Sequence, residues 1–389
     1  MAVNLLAREV SDLCLGKPAL RALLVTATVG EALSALKRLG QTYLSVWSCD
    51  HSSKIGTGGS AGNCRCVGKV CVADAICFLC KEENLKSPAT ALQASVLVLI
   101  PKVPGLVRHL EPNASLLEAV DLILEGAQNL VIPIQTRSSS SNSRKNLLQK
   151  PSFNSARHDN REYCWITQED IIRYLLNCIG LFSPIPASPI NALNLIDSKH
   201  ILAVNYDDPA ASTLPLISQA LVCQTSVAVV DTDSKLIGEI SPFTLNSCDE
   251  TVAAAIATLS AGDLMAYIDC GGPPEDLVQL VKDRLEERNC GALLDLMEED
   301  YSTISSSSSL CSSSSDEESG RFGGNSARMV RRSEAIVCHP WSSLVAVMVQ
   351  ALAHRLSYMW VVEADGTLMG IVTFAGMLKV FRERLNLMG

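Results

Sequence analysis

Apolar and polar positions follow one order along this chain, and that order comes round four times. A short apolar strand leads into a stretch with apolar residues three and four apart, the spacing of a helix. A nearly unbroken apolar run follows, then another run beginning near a glycine, then a second helix-spaced stretch. The last copy is the cleanest. It predicts a strand over 335–337, a helix over 342–356, a strand over 358–362, a turn at Glu363-Ala364-Asp365-Gly366, a strand over 368–373 and a helix over 374–385. The first copy predicts strands over 23–25 and 43–47 around a helix over 29–39, then a run from Gly68 into a helix ending at Cys80. The second predicts strands over 106–110 and 130–134 around a helix over 115–125, then a run from Trp165 into a helix ending at Cys178. The third predicts strands over 201–204 and 226–230 around a helix over 211–221, a turn over 231–233, and a run from Gly238 into a further helix. Val29, Leu33 and Leu36 mark the apolar face of one helix, and Leu116, Val120 and Ile123 that of another. The strands are apolar almost throughout, as expected where both faces are covered. So short a unit cannot bury both faces of its own sheet and has to stack on a copy of itself.

Three segments then carry a family resemblance: Ile237-Gly238-Glu239-Ile240-Ser241, Met369-Gly370-Ile371-Val372-Thr373 and Trp165-Ile166-Thr167-Gln168-Glu169-Asp170-Ile171-Ile172. They resemble the hallmark of CBS repeats, which reads Gly, two apolar residues, Thr or Ser, two variable residues and Asp at the start of the last helix. The whole chain looks like a plant-type protein with four CBS repeats. The resemblance implies an α/β fold of four β-α-β-β-α repeats arranged as two pseudo-two-fold pairs. The first pair is expected over 11–182, with repeats at 16–82 and 103–180. The second is expected over 190–388, with repeats at 195–268 and 329–386.

In CBS families a nucleotide often sits in the cleft between paired repeats. The resemblance implies that the hallmark Asp holds the ribose hydroxyls and that Thr or Ser faces the phosphates. A carboxylate can accept from two hydroxyls at once, and the start of a helix offers free N–H groups to an anion. The second repeat keeps both residues, Thr167 and Asp170. The first keeps Asp74 and has Cys71 for Thr; the third keeps Ser241 and has Thr244 for Asp; the fourth keeps Thr373 and has Gly376 for Asp. The alternative for Thr167 and Asp170 is a plain helix cap, a role both residue types favour. Asp170 and Thr167 are thus the leading nucleotide-binding candidates, followed by Asp74, Ser241 and Thr373. The implied protein is a non-catalytic regulatory or sensor protein. It binds an adenosine-type ligand such as AMP, ADP or ATP, needs no cofactor, and modulates a protein partner. One version is an energy-sensing subunit of a protein kinase complex. The alternative is a ligand-free CBS scaffold that makes its contacts through insertion loops.

Composition narrows this picture. The chain has 389 residues, room for two ordinary domains, with 48% hydrophobic residues for packed cores. A formal net charge of −9 argues against nucleic acid as a partner. No apolar run is long enough to span a bilayer and the N-terminus lacks the marks of a targeting peptide, so the expected home is cytoplasmic or nuclear. The 15 cysteines then read as free thiols, many of them acting as small hydrophobes. Cys77 and Cys80 could share a helix face toward a metal, but no second such pair accompanies them, so no metal site is expected. Gly58-Gly59-Ser60-Ala61-Gly62 fits a hydrolase nucleophile elbow in letters only, because its flanks are an insertion and not a strand and a helix. Insertions at 48–65 and 136–161 interrupt the first two repeats at the same place. An extra helix at 273–297 and a Ser-rich linker at 301–326 separate the last two. Ser313, Ser314 and Ser315 each have an acidic residue three positions on, a pattern suited to phosphorylation.

Overall fold

The computed structural model describes residues 8–49, 64–134, 161–269, 273–295, 297 and 334–388. Most of both insertions, Gly58 to Gly62, the linker and its Ser313, Ser314 and Ser315 lie outside the described residues.

Four three-stranded sheets form, one per repeat, in the same order. They are β1 (Ala22–Leu24), β2 (Leu44–Ser48) and β3 (Arg65–Val70); β4 (Val107–His109), β5 (Asn129–Ile134) and β6 (Glu162–Thr167); β7 (Ala203–Asn205), β8 (Val227–Val230) and β9 (Leu236–Ile240); and β10 (Val337–Cys338), β11 (Tyr358–Val362) and β12 (Leu368–Thr373). In each sheet the first strand runs parallel to the second and the third runs antiparallel to it. The parallel step is what requires a crossover helix between strands one and two.

Local signals set the helix ends. The helix Val29–Leu39 starts with a capping box: Thr28 Oγ1 accepts from Glu31 N at 3.2 Å, and Glu31 Oε2 accepts from Thr28 N at 2.8 Å. It stops at Gly40, whose φ of +57° suits a residue without Cβ. In the third repeat the chain first makes a 3-10 turn, Ala210–Thr213, and the helix proper is Leu214–Cys223, three residues later than the apolar spacing predicts. Pro215 explains the delay, because proline is tolerated only in the first turn of a helix. The helix expected after the third repeat runs Glu275–Glu287 and buries Val278, Val281 and Leu285.

The sheets pair as the repeats predict. Trp47, Cys66 and Val131 bury one another between the first two sheets, with Tyr163 and Trp165 packed beside them. His109 Nε2 accepts from Cys66 N at 3.1 Å across that joint. The third and fourth sheets meet through a bridge between Lys235 and Thr367. The helices, by contrast, pack across the two halves. One apolar cluster joins Leu33 and Ile76 of the first repeat to Ile217 and Ile256 of the third. The other joins Ile123 and Ile171 of the second to Met348 and Phe381 of the fourth. Ion pairs reinforce each joint: Lys37–Glu250 at 2.7 Å and Arg382–Asp121 at 2.6 Å. The two halves therefore share their helical cores.

Gly370 shows how tightly this closes. The chain at Asp197 adds to the edge of β12, exchanging two backbone hydrogen bonds with Ile371 at 2.9 and 3.0 Å. A Cβ on Gly370 would lie 2.6 Å from Ile196 Cγ2 and 2.8 Å from the Asp197 carbonyl oxygen. Gly370→Ala is expected to lower stability by roughly 1–3 kcal/mol. Gly376→Ala, in a helix where the added Cβ meets nothing closer than 3.5 Å, should be neutral or stabilising by up to about 1 kcal/mol. Urea unfolding of the two variants checks both; an equal loss at both positions would contradict the packing described.

Candidate ligand cavity

The four repeats converge on a cavity of about 660 Å³, lined by residues from every one of them. Three hydrogen bonds join the third repeat to the others, and the last two lie in the cavity walls. Ala73 N donates to Asn246 Oδ1 at 2.9 Å, Gln128 Nε2 to Leu221 O at 2.9 Å, and Ser357 Oγ to Gln224 O at 2.5 Å. They tie the third repeat to the first, second and fourth in turn.

The hallmark residues divide at this cavity. Asp74, Thr167 and Ser241 border it, along with Cys71; Asp170 and Thr373 do not. Asp74 stands in the first turn of helix Val72–Leu79, where its Oδ2 accepts from Cys71 N at 2.8 Å and from the Cys71 thiol at 3.0 Å. Both bonds engage Oδ2, which leaves Oδ1 available. Burial pushes the Asp74 carboxyl up to about 6, against the opposing pull of the Cys71 hydrogen bonds and the Lys69 charge. Ser241 is buried and its Oγ accepts from Phe243 N at 3.2 Å.

Thr167 and Asp170 form a reciprocal cap on helix Gln168–Asn177. Thr167 N and Thr167 Oγ1 each donate to Asp170 Oδ2 at 2.8 Å. The other oxygen, Oδ1, is taken by Lys17 Nζ at 2.7 Å. Both oxygens of Asp170 are therefore engaged within the protein, and the capping role weighed in the sequence is the one its geometry serves. Thr373 caps the last helix by accepting from Gly376 N at 3.1 Å.

Sequence reasoning passed over several cavity residues. Lys69, Asn129, Gln128, Gln224 and Arg355 all border the space. Asn129 Oδ1 and Gln224 Oε1 are buried with no hydrogen-bond partner. Lys69 offered a readable signal, since a charge stands there in a hallmark slot that calls for an apolar residue. The Lys69 ammonium lies over the Tyr43 ring, 4.7 Å from its centre, and burial pulls its pKa down. The cysteines nearby do not gather into a ligand set. Cys66 lies in the sheet joint, and burial pushes the Cys66 and Cys77 thiols up to about 12, which keeps them protonated. Among the described residues no group of three His, Cys, Asp or Glu side chains is placed to hold a metal. Nor is any helix of the described residues long and apolar enough to cross a membrane.

Four repeats of this topology, paired through their sheets around a shared cavity, define a tandem CBS architecture. No family model matches the chain. It is 49% identical to the CBS domain-containing protein CBSX5 of Arabidopsis thaliana, over 99% of both chains. It is 25% identical to CBSX6 of the same plant, over 97% of this chain and 94% of that one. Among solved structures it resembles MJ1225 of Methanocaldococcus jannaschii, described as a putative archaeal homolog of γ-AMPK. There the TM-score is 0.55 at 14% identity, over 96% of this chain and 100% of that one. The chain belongs to the CBS domain-containing proteins.

The raised Asp74 pKa has a pH signature. In the unfolded chain this carboxyl ionises near its ordinary value of 3.8; in the folded protein it does so at about 6. Between those limits the unfolded state is the one that has lost the proton, so stability falls as pH rises through the window. Asp74→Asn cannot ionise. Relative to that variant, the wild type should lose roughly 1–3 kcal/mol between pH 4 and pH 7. Thermal unfolding of both proteins across the range measures the difference. A constant difference would place the Asp74 carboxyl in an ordinary, water-like environment.

Proposed function

We propose that this protein is a non-catalytic regulatory module that binds one adenosine-type nucleotide, such as AMP, ADP or ATP, in its central cavity and so alters how it meets a protein partner. One observation carries the reading: Asp74, Thr167 and Ser241, hallmark residues of three different repeats, border the same space. Its volume of about 660 Å³ suits a small-molecule ligand. Asp74 is the ribose acceptor in this proposal, because its Oδ1 stands available where both oxygens of Asp170 are engaged. Ser241 serves the phosphate side, since the single proton of the Thr167 hydroxyl is given to Asp170. A ligand touching all four repeats bears on both shared helical cores, which gives it purchase on the outer surface. The partner is proposed to be a protein kinase complex encountered in the cytoplasm or nucleus.

A second reading is a CBS scaffold that has lost its ligand. The Lys17–Asp170 pair favours it, since an internal cation occupies a hallmark carboxylate. Titration calorimetry with AMP, ADP and ATP separates the two. The nucleotide reading expects saturable binding, and Asp74→Ala should weaken it at least roughly tenfold, the loss of a hydrogen bond to a charged group. Asp170→Ala should leave affinity within a few-fold and lower stability instead. A larger loss at Asp170 than at Asp74 would return the ribose to the second repeat. No binding up to millimolar nucleotide would leave the scaffold. Recovery of a protein kinase with the tagged protein, by affinity purification and mass spectrometry, tests the partner.

A further inference from the structure

The chain ahead of the first repeat crosses to the second repeat and is bonded down along its length. Val10 N donates to Ala114 O and Ser11 N to Pro112 O, both at 2.9 Å. Leu116 N donates to Arg8 O at 2.9 Å, and Leu20 N to Tyr163 O at 2.8 Å. Between these ties the strap makes the 3-10 turn Val10–Cys14, which lies across β5 and β6. Just beyond the turn, Lys17 pins the strap again through its ion pair with Asp170 at 2.7 Å.

Two thiols meet beneath this strap. Val10 and Cys14 are the buried residues of the turn, and Cys164 is a buried residue of β6, opposite Ile132. Both cysteines belong to the apolar cluster that holds Ile132 and Ile166. The Cys164 thiol donates to the Cys14 sulfur, and Cys14 Sγ also lies 3.5 Å from Val10 O. The two settings are unlike. Cys164 is fully enclosed, whereas Cys14 is 8% exposed and is followed by Leu15, 82% exposed, at the surface. The bond from Cys164 holds the Cys14 thiol below its ordinary pKa against the effect of burial; the Lys17 ammonium adds to the lowering and the Asp170 carboxylate opposes it. That same bond, with burial, pushes the Cys164 thiol up. A nucleophilic sulfur near the surface, with a protonated thiol directly behind it, is the arrangement that oxidises through a sulfenic acid to a disulfide.

We propose that Cys14 and Cys164 are a redox dithiol, which a hydroperoxide oxidises to a disulfide that clamps the N-terminal strap to the second repeat. With hydrogen peroxide, the Cys14 sulfur attacks the O–O bond and keeps one oxygen as a sulfenic acid, while the other leaves as water. The Cys164 sulfur then attacks Cys14 and gives up its proton, and the hydroxyl leaves as a second water. The two thiols lose two electrons and two protons, and one peroxide is reduced to two waters. A dithiol reductant reverses the step by exchange. The loop so closed takes in the first repeat and most of the second, and a long closed loop restrains the unfolded chain strongly. The clamp also fixes Lys17 beside the Asp170 carboxylate that caps helix Gln168–Asn177. In a reducing compartment the pair rests as thiols and closes only under oxidation. The clamp stands independently of the nucleotide reading of the cavity.

The test is mild oxidation of the full chain with hydrogen peroxide, followed by alkylation, digestion without reduction, and mass spectrometry. A peptide joining Cys14 to Cys164 should appear, lighter by two hydrogens than its two parts, and dithiothreitol should abolish it. The oxidised protein should unfold at least about 3 °C above the reduced one. Cys164→Ala should leave Cys14 as a sulfenic acid that dimedone traps, and Cys14→Ser should leave Cys164 a thiol. Lys17→Met should slow disulfide formation several-fold, which keeps the test sound if Cys164→Ala folds poorly. A Cys14 that stays a thiol while other cysteines oxidise, or that links to a different cysteine, would overturn the dithiol. So would a wild-type Cys14 carried on to sulfinic acid with Cys164 still a thiol. A Cys14–Cys164 link that leaves the unfolding temperature unchanged would overturn the clamp.

Discussion

A three-stranded sheet with apolar residues on both faces is the constraint from which the rest of this molecule follows. One repeat has enough helix to cover one face only. The other face closes against the neighbouring repeat, where Trp47 and Trp360 are both fully buried. Removing side chains of that size from water contributes roughly 1.5–3 kcal/mol each, and sheet pairing is the arrangement that captures it. The helices are left with apolar outer faces in turn, and these close across the halves, first repeat on third and second on fourth. Once all four contacts are made, strand ends and helix starts face one another around a common centre. The cavity stands where those helix starts meet apolar side chains such as Ile100, Leu221 and Phe243.

Electrostatics then makes the quasi-symmetric pairs unequal. A buried charge needs a partner within the protein or from a ligand, because desolvation costs several kcal/mol per ion. Glu239 accepts from the Tyr358 hydroxyl and the Trp360 indole N–H, and Asp170 has Lys17 together with its own cap. Both are complete without a ligand. Asp74 and Lys69 act on one another, yet each departs from its ordinary pKa in the direction that burial dictates, and each borders the cavity. Of the buried side-chain atoms without a hydrogen-bond partner among the described residues, Asn129 Oδ1 and Gln224 Oε1 belong to residues that border the cavity, while Asn246, Glu250 and Arg384 lie away from it.

Much of this was legible in the sequence, for reasons of range. Helix Val29–Leu39 and strands Tyr358–Val362 and Leu368–Thr373 lie where the apolar spacing puts them, because periodicity and capping are local. The sheet pairing followed from both-face apolarity. The sharing of helical cores between halves did not, since spacing says that Ile76 or Ile123 faces something apolar but not which helix supplies it. The site divided in the same way. Thr167, Ser241 and Asp74 were found by their motif and do border the cavity, but the engagement of Asp170 by Lys17 is a tertiary contact invisible to a motif. Asn129 and Gln224 carry no local signature at all. Lys69 did carry one, a charge in an apolar slot, while its neighbours, the Tyr43 ring and the Asp74 charge, are tertiary.

The central claim is that four repeats make one ligand site. Native mass spectrometry of the intact chain titrated with AMP measures the number of bound nucleotides directly. The account predicts a single mass increment of one AMP that saturates, with no second increment at comparable concentration. Two or more increments of similar affinity would contradict it, by showing that the pairs act as separate sites.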